Sequence, residues 1–173
     1  MMARRLRVAS PLGIFLIATI LGLLTGLQAY NYVALTSEHK QPFIVLVSLN
    51  LTYWYSWALL VPGVLWMARH FRFERNTWPR AAVFHCLALF VFTAAHVALA
   101  TSARGVILDA LTERSFDWWS YFRERFFLNL DWEMMTYWAI VAVVHALDYH
   151  RESQERELTA AQLQAQLAEA QLE

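Results

Sequence analysis

The chain of 173 residues has one cysteine, Cys86, so no internal disulfide framework can form. Glycine and proline number five and four, which argues against a loop-rich fold. Charged residues make up 16%, against about 25% in an ordinary soluble domain. The formal net charge is zero, so the charge balance gives no argument for nucleic acid as a partner. There is no Gly-rich nucleotide loop, no evident nucleophile–base pair and no H-E-x-x-H metal motif. No catalytic residues are therefore assigned within the chain.

What fills the sequence is apolar. Hydrophobic residues reach 58% and aromatic residues 15%, with eight tryptophans, a residue that collects at membrane interfaces. They group into four segments, 11–33, 43–68, 81–103 and 128–147. The first two carry no charge, the third only two histidines, and the fourth only Asp131 and Glu133 near its start. About 20 apolar residues cross a hydrocarbon core of about 30 Å. In lipid only helices and closed barrels satisfy their own backbone, and the alternating polarity of a barrel is absent. The expected fold is all-α, a four-helix transmembrane bundle. Arg4, Arg5 and Arg7 before the first segment resemble a signal peptide's basic start, but the run is long and "LTGLQAYNY" is a poor cleavage site. An uncleaved helix is expected.

Arginine placement sets the expected orientation. Arg69, Arg72, Arg75 and Arg80 lie between the second and third segments, whereas only Lys40 lies between the first and second. By the positive-inside rule both chain ends and the second loop face the cytoplasm. The third loop contains "FDWWSYFRERFF", which reads either as a helix in the outer headgroup layer or as a solvated loop with aromatic anchors. Pro62 removes a backbone hydrogen bond, so it and Gly63 mark an expected kink and candidate hinge.

After Tyr149 the composition changes. "HRESQERELTAAQLQAQLAEAQLE" has no Gly or Pro and is rich in strong helix formers, so it is expected to continue the fourth helix into water. Leu158, Ala161, Ala165, Ala168 and Leu172 follow the 3-4 spacing of a coiled-coil seam. The expected partner is a second copy of the chain. A second seam runs through Ala160, Leu163, Leu167 and Ala170. It is either an alternative packing, as a switch needs, or alanine used as a helix former. The domain layout is a cytoplasmic N-terminus (1–10), a membrane sensor or anchor domain (11–149) and a coiled-coil signalling helix (150–173).

Four membrane helices followed by "YWAIVAVVHALDYHRESQERELTAAQLQAQLAEAQLE" resemble the N-terminal half of LytS-like sensor histidine kinases. In that family such a helix leads into a Pro-His-Phe-(Leu/Ile)-Phe-Asn phosphoacceptor segment and an ATP-binding domain. The resemblance implies a homodimer in a bacterial inner membrane, ATP and magnesium only in the absent kinase domain, and a LytTR-type response regulator downstream. The chain departs from the family pattern by stopping at Glu173, where the phosphoacceptor segment would begin. A longer gene product is expected, and no kinase activity is expected of these residues alone.

Polar residues at membrane depth are candidates for function. From helical rise, Gln28, Asn50, His96 and Glu133 fall about 6–10 Å to the outer side of their helix midpoints. Glu133 is expected to point inward, with His96 or Asn50 as its partner. One reading is an outward-facing ligand pocket walled by Trp54, Trp132 and Tyr137. The other is a structural clasp between helices. In the inner half, His85, Cys86 and His145 are weak candidates for a metal or bis-histidine haem, since zinc or copper usually needs three or four ligands. Two alternatives to a kinase input region therefore stand: a haem or quinone electron-transfer protein, and a membrane scaffold with a coiled-coil tail.

Overall fold

The first helix begins where proline and serine favour it. In a computed structural model, which describes residues 10–36, 41–74, 76–111 and 116–171, Ser10 Oγ accepts from the Gly13 amide at 3.1 Å, and Pro11 opens helix α1 (Pro11–Thr36). Proline is suited to a first helical turn, where its missing N–H is not needed. Pro42 precedes α2 (Phe43–His70), and Pro79 lies in the first turn of α3 (Trp78–Leu111). Asp117 caps α4 (Trp118–Leu128), its side chain accepting from the Trp119 and Ser120 amides. Hydrogen bonds from the Ser120 side chain and backbone hold the Asp117 carboxyl below its ordinary range, so the cap is charged at neutral pH. Asn129 closes α4 and opens α5 (Leu130–Ala170), a single helix of 41 residues.

Contacts between helices give the register. Thr19–Tyr55, Gly22–Leu51, Gly26–Val47 and Tyr30–Phe43 pair α1 with α2 in opposite directions. Tyr53 and Trp57 meet His96, Gly63 meets Phe92 and Phe71 meets Phe84, so α3 runs against α2. Glu133 meets Tyr53, Asp148 meets Arg69 and Glu152 meets Arg72, so α5 runs parallel to α2. The core lies where α2, α3 and α5 converge: Trp57, Val64, Ala68, Ala88, Leu89, Tyr137, Val141 and Val144. At the end where α5 leaves the bundle, Arg72 donates to Glu152 at 2.6 Å, and that carboxylate raises the guanidinium above its ordinary value.

The packing differs from a closed four-helix bundle. Among the described residues α1 packs on α2 alone, and its buried positions are Ala18, Gly22 and Gly26. This is a small-residue seam of the kind that brings membrane helices together. A Cβ on Gly22 would sit 2.8 Å from Leu51 Cδ2 and 3.0 Å from its Cα, and one on Gly26 would sit 3.0 Å from Val47 Cα. The two backbones are therefore closer than any side chain allows.

Three described helices, α1, α2 and α3, are long and apolar enough to cross a membrane. The segment 128–147, expected as a fourth, does not reach that measure. Only 14 residues without formal charge separate Glu133 from Asp148, and an unaided crossing needs about 20. The helix α3 exceeds the expected 81–103 at both ends. The stretch 116–127 is largely helix, as one of the two readings had it. As expected, the helix continues past Tyr149: α5 runs on unbroken and is exposed from Gln154 onward. In the single chain the tail leucines Leu158, Leu163 and Leu167 are 55–64% exposed; Leu172 of the expected seam lies outside the described residues. The helix α2 continues through Pro62, and Gly63 gives room to the Phe92 ring, whose Cε1 would be 3.0 Å from an added Cβ.

Replacing Gly22 or Gly26 by leucine should separate α1 from α2 and destabilise the protein by about 1–3 kcal/mol, the usual range for overpacking. Thermal midpoints in detergent or nanodiscs check this. The exposed Leu23→Ala should leave the midpoint unchanged.

Candidate functional site

Glutamate is a costly residue at membrane depth, and Glu133 has no exposed surface. Its place in the first turn of α5 helps, because the helix dipole favours a negative charge there. Its main partner is His96 on α3, also fully buried. His96 Nε2 lies 3.1 Å from the Tyr53 carbonyl oxygen, which can only accept, so Nε2 carries a hydrogen. His96 Nδ1 lies 3.0 Å from Glu133 Oε1 and 2.9 Å from Oε2. One proton therefore belongs to the pair. Either an imidazolium faces a carboxylate, or a neutral ring faces a carboxylic acid. In both cases the pair is neutral overall, which is what burial demands.

Two further groups complete this layer. The Tyr53 hydroxyl donates to Glu133 Oε1 at 3.1 Å. Trp57 stacks on the His96 ring at 4.8 Å and 26° and covers its face. Glu133 Oε2, though close to Nδ1, has no aligned hydrogen bond.

The carboxyl group forms part of the wall of a cavity of about 510 Å³. Gln28, Asn50, His96 and Glu133 all line it, as do Trp54 and Trp132. Tyr137 does not. It is buried further along α5, where its hydroxyl meets His85 Nδ1 at 2.8 Å, so it belongs to the core. Asn50 donates to Leu46 O on its own helix at 2.9 Å, and His96 is thus the partner of Glu133. Gln28 sits on an exposed face of α1 at the cavity margin.

Residues that the depth estimate passed over contribute as much. Tyr53 is one turn beyond Asn50 on α2. Thr25 accepts from Trp54 Nε1 at 3.0 Å and holds that indole at the wall. Arg104 on α3, and Tyr121 and Arg125 on α4, line the cavity as well. The spacing of His96, Ala100 and Arg104 at successive fours puts them on one helix face, and this signal was present in the sequence. Both guanidinium carbons lie over the Tyr121 ring, at 4.8 and 5.1 Å.

The inner cluster is separate. His85 Nε2 donates to the Phe71 carbonyl oxygen at 3.1 Å, so Nδ1 accepts from the Tyr137 hydroxyl. In that arrangement His85 has no lone pair to offer a metal. Phe73 packs against both His85 and His145, and Cys86 is exposed on another face. Among the described residues no three His, Cys, Asp or Glu side chains converge as metal ligands.

The described residues form an all-helical fold with three helices long and apolar enough to cross a membrane and a cavity that ends on a buried histidine–glutamate pair. No family model matches the chain, and no curated protein or solved structure matches it.

Removing one member of the pair strands the other. Glu133→Ala or His96→Ala should cost about 3–5 kcal/mol, seen as a large loss of thermal midpoint. Glu133→Gln should cost far less. Its amide can donate to His96 Nδ1 while its carbonyl accepts from Tyr53, preserving both contacts with a neutral ring. A Gln variant as unstable as the Ala variant would refute the neutral-pair assignment.

Proposed function

We propose that the chain is the membrane input and dimerisation region of a LytS-like sensor histidine kinase in a bacterial inner membrane, with both ends cytoplasmic. The observation that carries this reading is α5 itself. One unbroken helix presents Glu133 to the cavity at one end and a fully exposed tail at the other. At about 1.5 Å per residue it is about 60 Å long. A displacement at the cavity therefore has a continuous element through which to reach a domain beyond the tail.

A fourth membrane crossing by α5 is part of this proposal. Its support is that α5 lies parallel to α2 and meets it at Glu133, Asp148 and Glu152, so it passes through the same depth. The shared proton with His96 lowers the barrier that Glu133 would otherwise set. The orientation is supported by Arg69, Arg72 and Arg80 at the end where the tail leaves. The tail pairs with its twin through Leu158, Ala161, Ala165 and Ala168. ATP and magnesium act in the following kinase domain, and a LytTR-type response regulator receives the phosphoryl group.

Single cysteines placed from Gln154 to Ala170 in a Cys86→Ser background test the pairing. Disulfide yield in membranes should peak at Leu158, Ala161, Ala165 and Ala168 and fall between them. A flat, low profile would sink the dimer. Kinase identity is tested separately on the full gene product. Incubation with labelled ATP should give acid-labile histidine phosphate on residues after 173, and its absence would refute the kinase assignment.

A further inference from the structure

Arg104 and Arg125 form an unusual pair. Each sends its guanidinium to the Tyr121 ring, so the two cations are no further apart than those two distances together. Like charges so placed repel. Neither has an acidic partner among the described residues, and Nε of each is buried without an acceptor. A buried N–H of a charged group left unpaired is costly. The Glu133–His96 pair beneath them is neutral as a unit and offers no compensating charge. Both arginines line the cavity.

We propose that this cavity binds an oxyanion, a carboxylate or phosphate group, held between Arg104 and Arg125. Guanidinium forks match such groups with paired, charge-assisted hydrogen bonds. The anion would relieve the repulsion across Tyr121 and give the two cavity-lining guanidinium groups the counter-charge they lack among the described residues. Two sources present this chemistry: a dissolved small anion and an anionic lipid headgroup. The aromatic helix α4, with Trp119 and Phe127 exposed, lies where either could approach. The inference gives the ligand class of the input region proposed above, but its test measures binding alone and does not depend on a kinase.

The purified chain is placed in nanodiscs of phosphatidylcholine and its thermal midpoint followed with added inorganic phosphate, acetate or lactate. A parallel series replaces part of the lipid by phosphatidylglycerol. At least one series should raise the midpoint saturably. Arg104→Gln and Arg125→Gln should each weaken the apparent affinity at least about tenfold, the loss expected from one charge-assisted hydrogen bond. Arg125→Lys should keep part of the response. Arg123→Gln, on the exposed face of α4, should respond as the wild type does. A response to dissolved anions identifies a solute, and a response to phosphatidylglycerol alone identifies a headgroup. The proposal is overturned if neither series shifts the midpoint, or if Arg104→Gln and Arg125→Gln respond like the wild type.

Discussion

A glutamate with no exposed surface, in a layer of helices built for lipid, constrains everything around it. Glu133 has to be neutralised, and the neutralising proton is shared with a ring whose other nitrogen is committed to the Tyr53 carbonyl. The pair cannot be satisfied by α5 and α3 alone. It needs a backbone oxygen and a hydroxyl from α2 at the same depth. Three helices are therefore fixed at one height by a single proton-sharing unit. Apolar packing alone would tolerate sliding by a residue or two, since one leucine contact is much like the next. Hydrogen bonds with directional partners do not.

That height sets the rest of the register. With Glu133 at Tyr53, parallel α2 and α5 bring Asp148 to Arg69 and Glu152 to Arg72 at the other end. His85 bonds to Phe71 O and Tyr137 midway, again joining α3 to both neighbours. The helix α1 takes no part in these contacts. It is joined to α2 by close backbone approach at Gly22 and Gly26, supplemented by Thr19–Tyr55 and Trp54–Thr25. The protein thus has two kinds of joint. One is polar and specific among α2, α3 and α5, and the other is a small-residue seam holding α1.

Much of the site was legible because polar residues in apolar segments are few. Counting rise along each helix was enough to place Gln28, Asn50, His96 and Glu133 in one layer, and all four line one cavity. The same method failed for Tyr137. Depth alone does not report direction, and its side chain faces the core rather than the cavity. Arg104 and Arg125 were passed over because, in a sequence, arginines flanking an apolar run look like loop charges. Their role depends on α3 continuing past its apolar stretch and on α4 folding back over it. The seam on α1 was readable in the spacing of Ala18, Gly22 and Gly26, but hydropathy does not register glycine as a contact. The fourth apolar segment falls short of the measure the other three helices meet, because Asp131, Glu133 and His145 lower its mean hydropathy, so a crossing there rests on contacts that hydropathy does not register.

The contacts that hold α5 are unequal, and the inequality bears on how it can move. Glu133, Tyr137, Val141, Val144, Asp148 and Glu152 recur at threes and fours, so one face carries them all. Rotating the helix far enough to exchange that face would break the buried pair, the His85 bond and the ion pairs together. The ion pairs near the tail are part-exposed, at 19–43% of their side-chain surface, and such pairs hold by only about 0–1 kcal/mol. The buried cluster at Tyr137, Val141 and Val144 holds far more firmly. A rigid rod fixed at that cluster and loosely held beyond it tilts more easily than it turns. Val141 is about 12 Å along the axis from Glu133, while Leu167 is about 39 Å beyond Val141 in the other direction. A small sideways shift of Glu133 would then appear at the tail roughly threefold larger and reversed in sign. In the input role proposed above, occupancy of a cavity against the short arm of α5 would act on the exposed leucines through this lever.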